Sequence, residues 1–188
     1  MKSLKRNTLL NTAERLFYEE GFHATGIDRV VKEAGVTRMT LYNHFPSKTE
    51  LIRAVLAARH ARYREELRAA IEMRGGNCAL TAIVGVHEEW LRSRSRHGCM
   101  VIKAIAEFEH QEGAIAEDAV AMKRDLLEII DQALELDNPA GESGAEGVLM
   151  VLEGTNALVP ILGVENAIAS MRTLLAPWLS PLATGELR

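Results

Sequence analysis

Apolar residues recur at helical spacing through almost the whole chain, and no stretch shows the two-residue alternation of a half-buried strand. Leu9, Ala13, Leu16 and Phe17 predict a first helix over about residues 3–20, stopped by Gly21. A short second helix is expected over 27–34, with Thr25 as its cap and Asp28 as a weak capping-box partner. Gly35 and Val36 make a turn, and Thr37 can cap a third helix to about His44, before Pro46. Ser47-Lys48-Thr49-Glu50 is a capping box opening a long fourth helix, 47–73, and Gly75-Gly76-Asn77 breaks it. Five further helices follow. The fifth carries Leu80, Ile83, Val84, Val86, Trp90 and Leu91, the sixth starts at His97-Gly98 and runs to Phe108, and the seventh runs from Ile115 to near Leu136. After a loop at 137–141, the eighth covers about 143–158 and the ninth about 165–179. The fold class expected is therefore all-α with about nine helices.

Composition narrows this picture. The 188 residues are 47% hydrophobic and 26% charged, a globular balance with no repeat or low-complexity tract. Two cysteines cannot build a disulfide framework, and reduced thiols in a cytoplasmic protein are the expectation. The basic N-terminus has no apolar stretch behind it, which argues against a secretory signal. The longest apolar run, 148–162, is interrupted by Glu153, Asn156 and Pro160 and is expected to be too short and polar to span a membrane. Charge is uneven. Residues 1–60 hold ten Lys/Arg against six Asp/Glu, while the remainder holds twelve against twenty. A basic head on an acidic body suggests a module that binds a polyanion.

The segment 25–48 carries the chemistry. Leu41 and Phe45 lie four apart and give the third helix an apolar back, to pack on Val30, Val31 and Phe17. The opposite side displays Arg38, Met39, Tyr42 and Asn43. In a major groove Arg38 can pair with a guanine edge and Asn43 with adenine. Thr40, Tyr42 and Lys48 are placed as phosphate anchors, and the N-terminus of the fourth helix also favours an anion. The same geometry also occurs in proteins that bind no DNA.

Gly21-Phe22-His23-Ala24-Thr25-Gly26-Ile27-Asp28, followed by the run from Ala34-Gly35-Val36-Thr37-Arg38-Met39-Thr40-Leu41-Tyr42-Asn43-His44-Phe45-Pro46 to Leu51, closely resembles the DNA-binding domain of the TetR/AcrR family of transcriptional regulators. The resemblance covers about the first third of the chain. It implies an all-helical homodimeric repressor that puts one recognition helix per subunit into successive major grooves of a palindromic operator. It assigns Thr25, Tyr42 and Lys48 to phosphates and Arg38, Met39, Asn43 and His44 to base-facing or flanking positions. Thr37 and Thr40 match its usual hydroxyl positions, while Met39 stands where a small residue is frequent. The domains expected are 1–48 for DNA binding, with the helix-turn-helix at about 26–45, and 49–188 for regulation and dimerisation, joined by the fourth helix.

Beyond residue 60 the signals are weaker. Val164, Ile168, Met171, Leu175 and Trp178 form a heptad-like seam on the ninth helix. The eighth is apolar nearly all round, so Val148 and Leu152 join that seam as the expected dimer interface. A pocket for a small, largely apolar effector is expected among the fifth to eighth helices. Its candidate residues are His87, Trp90, Cys99, Lys103, Phe108, Met122, Leu126, Leu149, Glu153 and Asn156. The alternative is a DNA-binding protein of the same fold controlled by a protein partner, or by no small molecule. No cofactor or metal is expected. An enzyme is not expected either: phosphate-binding, nucleophile-elbow and zinc-protease motifs are absent, and Glu107 to His110 is a single Glu-x-x-His spacing where a di-metal bundle needs two.

Overall fold

In the computed structural model the described residues are 2–74, 78–110, 113–139 and 144–179. Among them the chain forms nine α-helices and no strand. They are α1 (Lys2–Glu20), α2 (Ile27–Glu33), α3 (Arg38–Tyr42), α4 (Lys48–Met73), α5 (Ala79–Ser93), α6 (Met100–Phe108), α7 (Gly113–Asp137), α8 (Ala145–Leu162) and α9 (Val164–Leu175). The expected break at Gly75-Gly76-Asn77 lies outside the described residues. The chain divides into two compact units, one of residues 1–62 with 100–122, the other of 63–99 with 123–188. Packing thus groups α6 and the start of α7 with the N-terminal helices, a different division from the functional one drawn at residue 48.

In the N-terminal unit, α1 buries Leu9, Leu10, Ala13, Leu16 and Phe17 along one stripe. Gly21 ends it in the left-handed conformation at φ 90°, and its N–H donates to the carbonyl of Phe17. Thr25 does not cap α2. Gly26 occupies the cap position, and the buried Thr25 hydroxyl donates instead to the carbonyls of Gly21 (2.8 Å) and Leu16 (3.3 Å), pinning the turn from α1. Thr37 caps α3 as expected, its Oγ1 accepting from the Thr40 N–H at 3.1 Å. The helix is shorter than the pattern suggested and closes at Asn43. Ser47 caps α4 by accepting from the Glu50 N–H, but the box stays half-closed because the Glu50 carboxylate takes a hydrogen bond from Arg53. Phe22 joins Phe17 and Phe108 in an aromatic cluster.

The C-terminal unit is built around Leu67, Leu80, Ile83, Leu126, Ile130, Val148, Leu152, Met171 and Leu175. This corrects the expected dimer seam. Val148, Leu152, Met171 and Leu175 lie in that core, Ile168 lies in a smaller one with Leu91, Val159 and Ala167, and Val164 packs on the second. Trp178 lies beyond α9 and packs against the first. A 3.5-residue period marks an apolar stripe but not its neighbour, and here α8, α9 and α5 cover one another. At 18 residues α8 is longer than expected and runs through Pro160. It is long and apolar enough to cross a bilayer by composition alone, yet it buries Asn156 and Val159, and its Glu153 pairs with Lys123.

Candidate nucleic-acid interface

Leu41 and Phe45 fix α3 by burying its inner face, so the opposite side must face outward. Met39 is 74% and Tyr42 47% exposed; Thr37, Arg38 and Asn43 are exposed as well. Thr40, His44 and Lys48 are half-buried around them. Eight of the nine sequence-derived positions therefore sit on or beside one outward surface. Thr25 is the exception and is corrected: its side chain is fully buried and its hydroxyl is committed to the backbone. The Lys48 ammonium reaches toward the carbonyl of His23 at 3.5 Å, holding the end of α4 to the turn after α1.

Two participants escaped the sequence reading. The Arg6 guanidinium lies 5.2 Å from the centre of the Phe45 ring, so a cation from α1 stands beside the base of α3. Only the clustered charge at Lys2, Lys5 and Arg6 hinted at it. The other is Asp28, whose two carboxylate oxygens accept from Nε and Nη2 of Arg38. Each partner shifts the other: the hydrogen bond from Arg38 lowers the Asp28 pKa, and the bond to Asp28 raises that of Arg38.

All six acids of the first sixty residues are engaged within this unit. Glu14 binds Arg59 and Arg62, Glu19 binds Arg15, Glu20 binds Arg29, Glu33 binds both Arg15 and Arg29, and Glu50 binds Arg53. With Asp28 on Arg38, each of these six carboxylates has a basic partner, and the first sixty residues keep a surplus of Lys/Arg over Asp/Glu. That surplus is what a polyphosphate surface selects.

The pocket candidates are divided. His87, Trp90, Cys99, Leu126, Leu149, Glu153 and Asn156 belong to the C-terminal unit, whereas Lys103, Phe108 and Met122 belong to the N-terminal one. Phe108 is packed against Phe22 and stacked on His23, and Lys103 lies over the Tyr18 ring, so both have structural partners. In the C-terminal unit the missed residues are Tyr63 and Lys123. The Tyr63 hydroxyl meets His87 Nδ1 at 2.9 Å, and Lys123 binds Glu153, which also accepts from Asn156 at 3.4 Å. Burial lowers the pKa of Lys123, but Cys99 and Glu153 outweigh it and the net shift is upward. Asn156 Oδ1 is buried without a hydrogen-bond partner. Glu107 pairs with His23 at 2.8 Å rather than with His110, and among the described residues no cluster of His, Cys, Asp and Glu could hold a metal.

Residues 9–55 match the family model for bacterial regulatory proteins of the tetR family. The structure superposes on a TetR-family transcriptional regulator from Streptomyces coelicolor with a TM-score of 0.86, at 28% identity, covering 94% of this chain and 95% of that one. This chain's N-terminal domain belongs to the TetR family. Its N-terminal part is 46% identical over 52 residues to the transcriptional activator FasR of Mycolicibacterium smegmatis, 28% of this chain and 24% of FasR. That match spans about a quarter of FasR's length. A longer match, 28% identical over 138 residues, covers 69% of this chain and 67% of the transcriptional repressor NemR of Escherichia coli. The reduced form of NemR superposes with a TM-score of 0.75, at 25% identity over 90% of this chain and 95% of that one. TetR-family regulators bind DNA, act as dimers and are not enzymes.

Proposed function

We propose that this TetR-family protein is a cytoplasmic, sequence-specific repressor that binds a palindromic operator as a homodimer and is released by a small, largely apolar effector. The observation that carries the reading is the outward face of α3, where Arg38, Met39, Tyr42 and Asn43 surround a buried Leu41 anchor. Arg38 and Asn43 supply base contacts, while Tyr42 and Lys48 supply phosphate contacts. Residues 1–48 form the DNA-binding part and 49–188 the regulatory part. The match to NemR, a repressor, runs over most of the chain and supports repression.

The outer side of α8 and α9 supports the homodimer. Met150, Leu158, Leu162 and Leu174 are exposed there, along an apolar groove that also includes Gly154 and Ser170, and Ile161 on α8 is exposed as well. A second copy of the same face would remove that surface from water and place two readers on one duplex. Asn156 Oδ1, buried and unpartnered, supports contact with a ligand carrying at least one polar atom. By linkage, a roughly 100-fold release of DNA requires about 2.7 kcal/mol of differential affinity.

Selection from a randomised duplex library with the full chain tests the reading. A palindromic consensus bound by a dimer is expected, with affinity falling steeply as salt rises. Equal binding to all duplexes would overturn it. Titration of candidate effectors with and without saturating operator tests the control step; equal ligand affinity in both states would exclude release by linkage.

A further inference from the structure

Arg38 is the first residue of α3, the end of a recognition helix that reaches base edges. It does not project as a loose cation. Its Nε and Nη2 are both bound by the carboxylate of Asp28, which lies in the first turn of α2, ten residues earlier. A guanidinium has five N–H donors in one plane. Asp28 engages the side-on pair, leaving the end-on pair formed by Nη1 and the outer hydrogen of Nη2. That end-on fork has the spacing that meets O6 and N7 of guanine.

We propose that Asp28 is a specificity-determining positioning residue: it orients Arg38 so that the end-on fork is presented to a guanine in each operator half-site. This rests on the reading of α3 as the DNA reader. The carboxylate lies on α2, so part of the sequence preference is set from outside the reading helix. Orientation is where the gain lies. A free arginine spreads over many rotamers and satisfies phosphates as readily as bases, whereas a fork held in one plane loses less freedom on docking. The carboxylate also offsets the cation's non-specific attraction for phosphate, which widens the gap between guanine and other bases.

The test compares full-length wild type, Asp28→Ala, Asp28→Asn, Arg38→Ala and the Asp28→Ala/Arg38→Ala double variant on a randomised duplex library and at several salt concentrations. Wild type is expected to select a guanine that Arg38→Ala no longer selects. Asp28→Ala is expected to lose roughly tenfold of that guanine preference, about one good base contact. It should also bind non-cognate duplexes more tightly, since a negative charge is gone. The double variant should show no further loss of preference, and Asp28→Asn, which keeps the shape and one acceptor, should fall between. A side chain that merely stabilised the fold would weaken all duplexes together. Undiminished guanine preference in Asp28→Ala, with or without tighter binding overall, would overturn the proposal. So would guanine preference surviving in Arg38→Ala, even though the function would stand. A wild type with no sequence preference at all would overturn both.

Discussion

Tyr63 and His87 meet through hydroxyl and Nδ1 at 2.9 Å, with the two rings at 66° to one another. The imidazole is buried beside a phenol rather than a carboxylate, so no opposite charge at that nitrogen stabilises its charged form. Burial pulls the pKa of His87 down to about 4; Glu153 and a backbone hydrogen bond to Leu152 oppose that shift and Lys123 adds to it. In the unfolded chain the same group takes up a proton near 6.5. The neutral histidine therefore contributes stability that is complete above pH 6.5 and is lost as the pH falls toward 4. The full loss is roughly 3 kcal/mol. His87→Gln should flatten this part of the stability profile, as read by urea unfolding at a series of pH values. Identical slopes in the two proteins between pH 6.5 and 4 would contradict the assignment.

Asp137 ends α7 and serves α5. Its oxygens accept the N–H groups of Ala79 at 2.6 Å and Leu80 at 2.9 Å, and Cys78, which precedes them in the left-handed conformation, supplies no cap of its own. Asp137→Ala should cost about 1–2 kcal/mol, because two donors at a helix N-terminus lose a charged acceptor together. Denaturant unfolding of the variant would measure it, and a midpoint unchanged from wild type would count against the cap.

Ile161 is 77% exposed on α8 and Leu174 59% exposed on α9. Ile161→Glu and Leu174→Glu should yield folded monomers by light scattering, with weakened operator binding because a single half-site offers few contacts. Ile168→Glu and Leu175→Glu should behave differently. Both side chains lie in the protein's own core, so these changes should lower the unfolding temperature before they alter the mass. If Ile161→Glu and Leu174→Glu both kept the dimer mass, another face would have to hold the copies together.

Lys48→Ala and Asn43→Ala should part company on DNA. Loss of the lysine should weaken every duplex alike and reduce the salt slope by about one. Loss of Asn43, which is exposed at the C-cap of α3, should relax preference at an adenine, with about 1–3 kcal/mol of discrimination removed. Competition assays with cognate and scrambled duplexes separate the two outcomes.

The helices were legible because their signals are local. Thr37 and Ser47 cap the helices they precede, Gly21 stops α1, and the outward set on α3 follows from burying Leu41 and Phe45. What escaped is carried by separations that sequence spacing cannot measure. Asp137 caps a helix that starts 58 residues earlier, and Tyr63 reaches a histidine 24 residues later. In the sequence Asp28 is a cap candidate because spacing reaches only the nearest backbone, whereas its partner Arg38 lies ten residues on, across a turn. The heptad on α9 was real, but periodicity is the same whether a stripe meets its own subunit or another. The misplacement of Thr25 has a related cause: a hydroxyl before a helix can satisfy that helix or the turn behind it, and here the turn takes it.

Gly144 stands at the threshold of α8, where the indole of Trp178 occupies the space a Cβ would need. Three residues on, Gly147 meets the same ring at ordinary contact distance, 3.5 Å, so a methyl group would fit there. Two glycines that look equivalent in the sequence thus differ in what they tolerate. Alanine at 144 must displace the tryptophan, while alanine at 147 need not. The fate of position 144 is written at position 178: a smaller residue in place of the indole would release it, and any lineage that kept the tryptophan would have to keep the glycine.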